Sequence, residues 1–285
     1  MNILDAIMNI VENPVTDLRE IYVKNNRANS AGDALEEYVK DIFSGTLNYT
    51  DERLRVEKIS ELFSYLGNDS NPPDAMLRGG DAIEVKKIES NNSALALNSS
   101  YPKHKLYSNS RMISNECRNA EEWSEKDIIY VVGIIHEKRL KHLCMVYGLD
   151  YCASTDIYEN IKAKIKEGIE NIPNIELSET NELGKLNRVD PLGITYLRVR
   201  GMWGIENPFK VFNYIFDRDN TKKFNFMAII NNEKYETFTN RYKIEKMAIE
   251  NSKLLITDVK IKNPNNPAKL NSAKLITYVI SEEEN

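Results

Sequence analysis

Residues Asn71 to Glu89, Asn-Pro-Pro-Asp-Ala-Met-Leu-Arg-Gly-Gly-Asp-Ala-Ile-Glu-Val-Lys-Lys-Ile-Glu, constrain the fold more than any other stretch of this chain. Gly79-Gly80 between two short runs of strand-forming residues predicts a hairpin, with Ala75 to Leu77 turning into Ala82 to Ile88. On the second strand the two-residue period sends Ile83 and Val85 to one face and Glu84 and Lys86 to the other. Asp74 ends the loop before the first strand, so the hairpin brings its carboxylate beside that of Glu84. Two carboxylates and a lysine then converge on a rigid, half-buried sheet. Mg2+ suits such oxygen ligands, because it keeps several waters and needs only one or two carboxylates from the protein. A neighbouring ammonium orients or helps deprotonate the attacking water, and the parts together are those of metal-assisted phosphodiester hydrolysis. An ordinary hairpin with solvated Asp, Glu and Lys satisfies the same short pattern. Asp258-Val259-Lys260 has the triplet on an expected strand but no Pro-Asp hairpin before it, and reads as surface.

At 285 residues the chain is long enough for one large domain or for a core with an appended subdomain. A hydrophobic share of 41% with 28% charged residues is that of a water-soluble globule, and no apolar run approaches a membrane span. Met1 to Val11 carries Asp5 and no basic leader, so it reads as an amphipathic helix and not as a signal peptide. Cys117, Cys144 and Cys152 are odd in number and form no zinc spacing with His104, His136 and His142; reduced, buried thiols of a cytosolic protein are the expectation. The formal charge of −5 does not advertise nucleic-acid binding. Positive charge for a polyanion must therefore be local.

Asn13-Pro14 ends the first helical pattern, and a polar stretch through Asn25-Asn26-Arg27 follows. Ser30, with Asp33 three residues on, then caps a helix from Ala31 to Phe43 whose apolar stripe is Leu35, Tyr38, Val39, Ile42 and Phe43. Glu36 lies on the flank of that stripe and Glu37 on the opposite side. Packed on the hairpin, this helix would bring Glu36 toward the acids; both glutamates also suit a plain helix surface. Asp51 to Tyr65 reads as a further helix. Ser93 to Lys105 is small, polar and finally basic, and its Asn98, Ser99, Ser100, Lys103 and Lys105 are the groups that contact phosphate and sugar. A solvated loop has the same composition. Asp127 to Ile135 and His142 to Leu149 are apolar runs joined by Glu137 to Lys141, a pair of strands buried on both faces. A helix with Ile157, Ile161, Ile165 and Ile169 follows, giving an α/β core with a mixed sheet.

The pattern fades between 173 and 190. This places a soft boundary between a core over 1–172 and a C-terminal extension over 191–285, packed on the core as one unit. A strand from Gly193 to Arg200 carries Arg198 and Arg200 and leads to Asn207, and these three are candidates for DNA contact. Arginine on a strand can take guanine O6 and N7 together; pairing of these arginines with carboxylates elsewhere is the other reading. Phe224 to Ile230 is another strand. A final lysine-rich hairpin, Leu254 to Ile261 and Leu275 to Ile280, suits DNA backbone or a soluble sheet edge.

The blocks Ala31-Gly-Asp-Ala-Leu-Glu-Glu-Tyr-Val-Lys40, Asn71 to Ser90, Ser93-Ala-Leu-Ala-Leu-Asn-Ser-Ser100 and Arg198-Val-Arg-Gly-Met-Trp-Gly-Ile-Glu-Asn-Pro208 closely resemble the NgoPII family of type II restriction endonucleases, which looks like part of the PD-(D/E)xK nuclease superfamily. The likeness is weakest around Asn171 to Lys185 and at the C-terminal end. It implies a restriction-endonuclease-like α/β fold, a central mixed β-sheet flanked by helices. It also implies Mg2+ dependence, double-stranded DNA as substrate, a homodimer on a palindrome associated with GGCC, a bacterial cytoplasmic setting and a cognate DNA methyltransferase. Carried over residue by residue, Asp74 and Glu84 match the metal-binding acids, with the Val85 carbonyl beside them, Lys86 the motif lysine and Glu36 the helix glutamate. A structure-selective repair nuclease of the same superfamily and a non-catalytic DNA-binding protein are the alternatives.

Overall fold

The computed structural model describes residues 1–23, 30–68, 71–136 and 139–281. The Asn25-Asn26-Arg27 stretch and the Glu137-Lys138 turn lie outside them. In chain order the first elements are α1 (Ile3–Glu12), α2 (Ala31–Ser44), α3 (Glu52–Leu62), β1 (Phe63–Asn68), β2 (Asn71–Leu77), β3 (Ala82–Ile88), β4 (Leu95–Asn98), β5 (Lys105–Tyr107), α4 (Asn115–Arg118), β6 (Glu125–His136) and β7 (Arg139–Tyr147). There follow α5 (Gly148–Tyr151), α6 (Thr155–Glu170), β8 (Gly184–Asn187), β9 (Tyr196–Val199), β10 (Trp203–Ile205), α7 (Pro208–Val211), β11 (Phe224–Asn231), α8 (Asn232–Thr237), α9 (Arg241–Glu250), β12 (Leu254–Asn263) and β13 (Asn266–Ile280).

The central sheet is mixed, in the order β1-β2-β3-β6-β7-β11-β13-β12, with β5 added along the start of β6. β3 pairs with β6 and β7 with β11 in parallel, and the other neighbours are antiparallel. Strands from the C-terminal third thus continue the sheet begun by the N-terminal hairpin. Each central strand is buried on both faces, as apolar runs without alternation require. Ile83, Val85, Ile129, Val131, Leu143 and Met145 face the layer made by α1 and α2. Ala82, Ile128, Tyr130, Val132, Cys144 and Val146 face a second layer that includes Leu95, Leu97, Leu106 and Phe209. The three cysteines are free and buried. No helix among the described residues is long and apolar enough to cross a membrane.

Local chemistry explains the helix that approaches the hairpin. Ser30 accepts hydrogen bonds from the Gly32 and Asp33 amides while Asp33 accepts one from the Ser30 amide, and Gly45 (φ 70°) ends α2 in the left-handed region. Its far side is fixed by ions. Arg55, 3% exposed, donates to the fully buried Asp41 at 2.7 Å, to Glu37 at 2.6 Å and to Glu52 at 2.9 Å. Tyr22 and Thr46 hydroxyls donate to the same Asp41 carboxylate at 2.8 and 2.5 Å. Glu37 is therefore an anchor of α2 on α3, not a solvated residue.

The structure corrects several expectations. The helix expected to Tyr65 stops at Leu62, and the chain continues as edge strand β1. The basic loop from Ser93 contains β4, paired with β10. The patternless 173–190 segment contains β8, which pairs with β9 outside the central sheet. The helix expected to carry Ile157, Ile161, Ile165 and Ile169 is present as α6, with Ile157, Ile161 and Ile165 more than 40% exposed.

Arg55→Met leaves the Asp41 charge buried without its cation, a loss of about 3–5 kcal/mol. The thermal midpoint measured by calorimetry should fall by on the order of 10 °C. The double variant Arg55→Met/Asp41→Leu should recover part of that loss.

Candidate active site

The hairpin ladder holds only at Ala75 opposite Ile83 and Met76 opposite Ala82; beyond this β2 and β3 part. At the point of parting, the Asp74 carboxylate takes the place of the missing strand carbonyl and accepts the Val85 amide at 2.6 Å. The period of β3 then puts Glu84 and Lys86 on one face, and Lys86 Nζ lies 2.6 Å from Glu84 Oε1. Glu84 Oε2 is buried and has no hydrogen-bond partner among the described residues. The Pro72-Pro73 peptide just ahead of Asp74 is cis. Behind it, Gly67 occupies an irregular step of β1, where a Cβ would strike the Pro73 carbonyl and lie 3.0 Å from the Asp74 oxygen. Only glycine lets β1 run this close to the strand that carries the acid.

Burial, with Glu84 alongside, pushes the Asp74 carboxyl up to about 7. Burial works against the charge on Lys86, but Glu84, then Asp74, and more weakly Glu36 outweigh it and hold the ammonium above its ordinary range. Lys86 thus stands beside the two acids as a charged donor. Glu36, half-buried on α2, and Lys40, which acts on Asp74, sense the site from the helix side, where β2 has left β3. Among the described residues no group of three or more His, Cys, Asp or Glu is placed to hold a metal. A cation here would rest on two carboxylates, a backbone carbonyl, water and substrate oxygens, a set that Mg2+ accepts.

The residues expected to contact DNA divide. Asn98, in the left-handed region at φ 52°, and Ser99 are exposed at the end of β4, with Ser100 half-buried after them. Ser99 and Arg200 line one groove of about 370 Å³ with Trp203. Arg198 and Arg200 are both held by Glu182, at 2.8 and 2.5 Å, so the carboxylate-paired reading describes them. Asn207 is fully buried; it accepts the Phe209 amide and donates to the Asn91 carbonyl, which makes it a helix cap and removes it from the DNA-contact candidates. Asn-Pro at a helix start was a legible cap signal. Lys105 pairs with Glu125 at 2.7 Å, and Lys103 is buried at 5% exposure, not displayed on a loop.

Pattern reading missed the groups gathered around those lysines. A cleft of about 630 Å³ is lined by Lys103, Lys105, Arg111, Lys162 and Lys166 against one acid, Glu159. It is a local basic surface on a chain of net charge −5. The lysines of α6 carry no signal by themselves, because only the packing of that helix beside β5 gives them a common target.

A mixed sheet whose hairpin splays around two acids and a lysine, with a basic cleft nearby, defines a nuclease-type α/β protein. The chain matches the NgoPII restriction endonuclease family over residues 1–262. It is also 62% identical, over 279 residues, to the type II restriction enzyme NgoPII of Neisseria gonorrhoeae, covering 98% of this chain and 99% of that one. The chain belongs to this family and is a type II restriction endonuclease. No solved structure matches it.

Gly67→Ala forces β1 away from the Pro73–Asp74 backbone and displaces the acid. Single-turnover cleavage should fall roughly 100-fold, the usual loss for a misplacement of about 1 Å, with the protein still folded by circular dichroism.

Proposed function

We propose that this enzyme hydrolyses double-stranded DNA at a short palindrome, GGCC, with Mg2+, leaving 5′-phosphate and 3′-hydroxyl ends. The observation that carries the reading is the meeting of Asp74, Glu84 and Lys86 at one corner, with one carboxylate oxygen buried and unpartnered. That orphaned oxygen and the raised Asp74 carboxyl fit a missing cation. Asp74 and Glu84, with the Val85 carbonyl, would hold it, and Glu36 would hold its waters or a second ion. Bound there, Mg2+ supplies Lewis acidity to a phosphate oxygen and lowers the pKa of a water. Lys86 orients the attacking water and stabilises the charge that grows on phosphorus. The new bond joins the water oxygen to phosphorus, the P–O3′ bond breaks, and the 3′ oxygen leaves as a hydroxyl. The basic cleft supports the choice of substrate, since its cations suit the phosphates flanking the cut.

A palindrome presents one face twice, so we infer a homodimer with one reaction centre per strand. The exposed apolar side chains Leu192, Ile194, Tyr196 and Met202 are the kind of surface that a second copy covers. The setting that goes with such a cutter is the bacterial cytoplasm, beside a methyltransferase that protects the same site.

Incubation with plasmid DNA and Mg2+, followed by sequencing of the fragment ends, tests activity, site and stagger together. Discrete bands with GGCC ends are expected; a smear, or cutting only at branched DNA, would show a structure-selective nuclease instead. Lys86→Ala should abolish cutting in Mg2+ while specific binding survives, read by gel shift in Ca2+. Gel filtration should give a dimer, and Leu192→Glu/Ile194→Glu should give a monomer; a wild-type monomer both free and on DNA would refute the symmetry argument.

A further inference from the structure

Among the described residues, the buried polar atoms without hydrogen-bond partners on this side of the sheet include Glu84 Oε2 and Lys103 Nζ. The second is the more demanding. An ammonium has three donors, and burying it without an acceptor costs several kcal/mol unless something compensates. Lys103 has only the face of Tyr101, whose ring centre lies 3.7 Å from Nζ. That contact supplies no hydrogen-bond acceptor of the usual kind.

Its position is nonetheless firmly fixed. The Lys103 amide donates to the Tyr130 hydroxyl at 2.6 Å, and Tyr130 stands directly opposite Glu84 in the β3–β6 register. Gly148 packs so tightly beneath this backbone that a Cβ would collide with the Lys103 carbonyl. Tyr101 is held in turn by its hydroxyl donating to Glu159 at 2.9 Å and by stacking on Tyr158. Lys103 also lines the basic cleft, and Glu84 acts on its buried ammonium, so the residue stands beside both the cleft and the acids.

Burial lowers the ammonium to about 8, with Glu84 and Glu159 pulling it back up and Lys162 pressing it further down. Glu84 is thus close enough to act on the charge, yet no ion pair joins the two. The gap between a buried carboxylate oxygen and a buried ammonium suits an alternation of charge, acid to cation to phosphate to ammonium, better than a direct bridge.

Resting on the nuclease reading above, we propose that Lys103 is a second lysine of the reaction centre, binding a non-bridging oxygen of the scissile phosphate. It is a catalytic residue on this account, distinct from the cations that track the DNA backbone along the cleft. A merely structural lysine would be needed for folding and indifferent to the charge of that one phosphate.

The test uses full-length wild type, Lys103→Met and Lys103→Gln, once sequenced ends have located the scissile linkage. Binding is measured with a chelator present, on the natural duplex and on one carrying a neutral methylphosphonate at that linkage. The penalty for the neutral linkage should be about tenfold larger in wild type than in either variant, the value of one charge-assisted hydrogen bond. Single-turnover cleavage in Mg2+ should fall roughly 100-fold in both variants, while the melting temperature holds or rises because an unpaired buried charge is gone. Equal methylphosphonate penalties, or cleavage at the wild-type rate, overturn the proposal and leave the nuclease assignment intact. Unfolding of both variants overturns it too, by assigning the ammonium to the fold. Failure of the wild type to cut plasmid DNA at all would be failure of the nuclease reading itself.

Discussion

The hydrogen bond from the Val85 amide to the Asp74 carboxylate is the contact on which the site depends. A strand pair that ends in mid-sheet leaves backbone donors without partners, and a buried orphan costs about 1–3 kcal/mol. Here a side chain supplies the acceptor. The same bond therefore lets β2 leave β3, satisfies the exposed ladder edge and fixes one acid beside the strand that carries Glu84 and Lys86. Fold and chemistry are joined through one carboxylate, so Asp74 has a structural reason to be in place before any cation or substrate arrives.

Electrostatics then set what the corner can accept. Asp74 and Glu84 share the nearby Lys86, and burial makes their mutual repulsion more costly than at a surface. The raised Asp74 carboxyl and the raised Lys86 ammonium are two expressions of that crowding. A polyanion could not approach two unscreened acids. The cleft lined by Lys105, Arg111, Lys162 and Lys166 gathers positive charge to one side without making the whole chain basic.

Much of this was legible before any coordinates. The alternation Ile83, Glu84, Val85, Lys86 determines which side chains share a face, and the Ser30/Asp33 box marks where α2 begins; both are local signals, and the structure follows them. What was not legible depends on distant partners. β4 and β8 are four-residue strands that exist because β10 and β9 lie beside them, so their own composition reads as loop. Arg55 looks like one charge among many in α3 until Asp41 is buried against it. Lys103 reads as a loop lysine, because nothing in Tyr-Pro-Lys-His-Lys shows that Gly148, some 45 residues on, will close over its backbone. Asn207 is the opposite case, since Asn-Pro at a helix start signals the cap that the structure shows, and not a contact with DNA.

The two faces of the sheet also settle from which direction a substrate can come. Ile83 and Val85 are sealed beneath α1 and α2, so no duplex can reach the strand from that side. Glu84 and Lys86 project to the other face, as does the layer built by β4, β10 and the chain around Lys103. A spacing of two between the acid and the lysine is what keeps both on this face, since a spacing of one or three would bury one of them under α2. Glu36, in the helix layer, nevertheless acts on Lys86 near the point where β2 leaves β3. The splay of the hairpin therefore does two things at once. It places Asp74 beside Glu84 and Lys86, and it leaves Glu36 of the helix layer within electrostatic reach of that lysine.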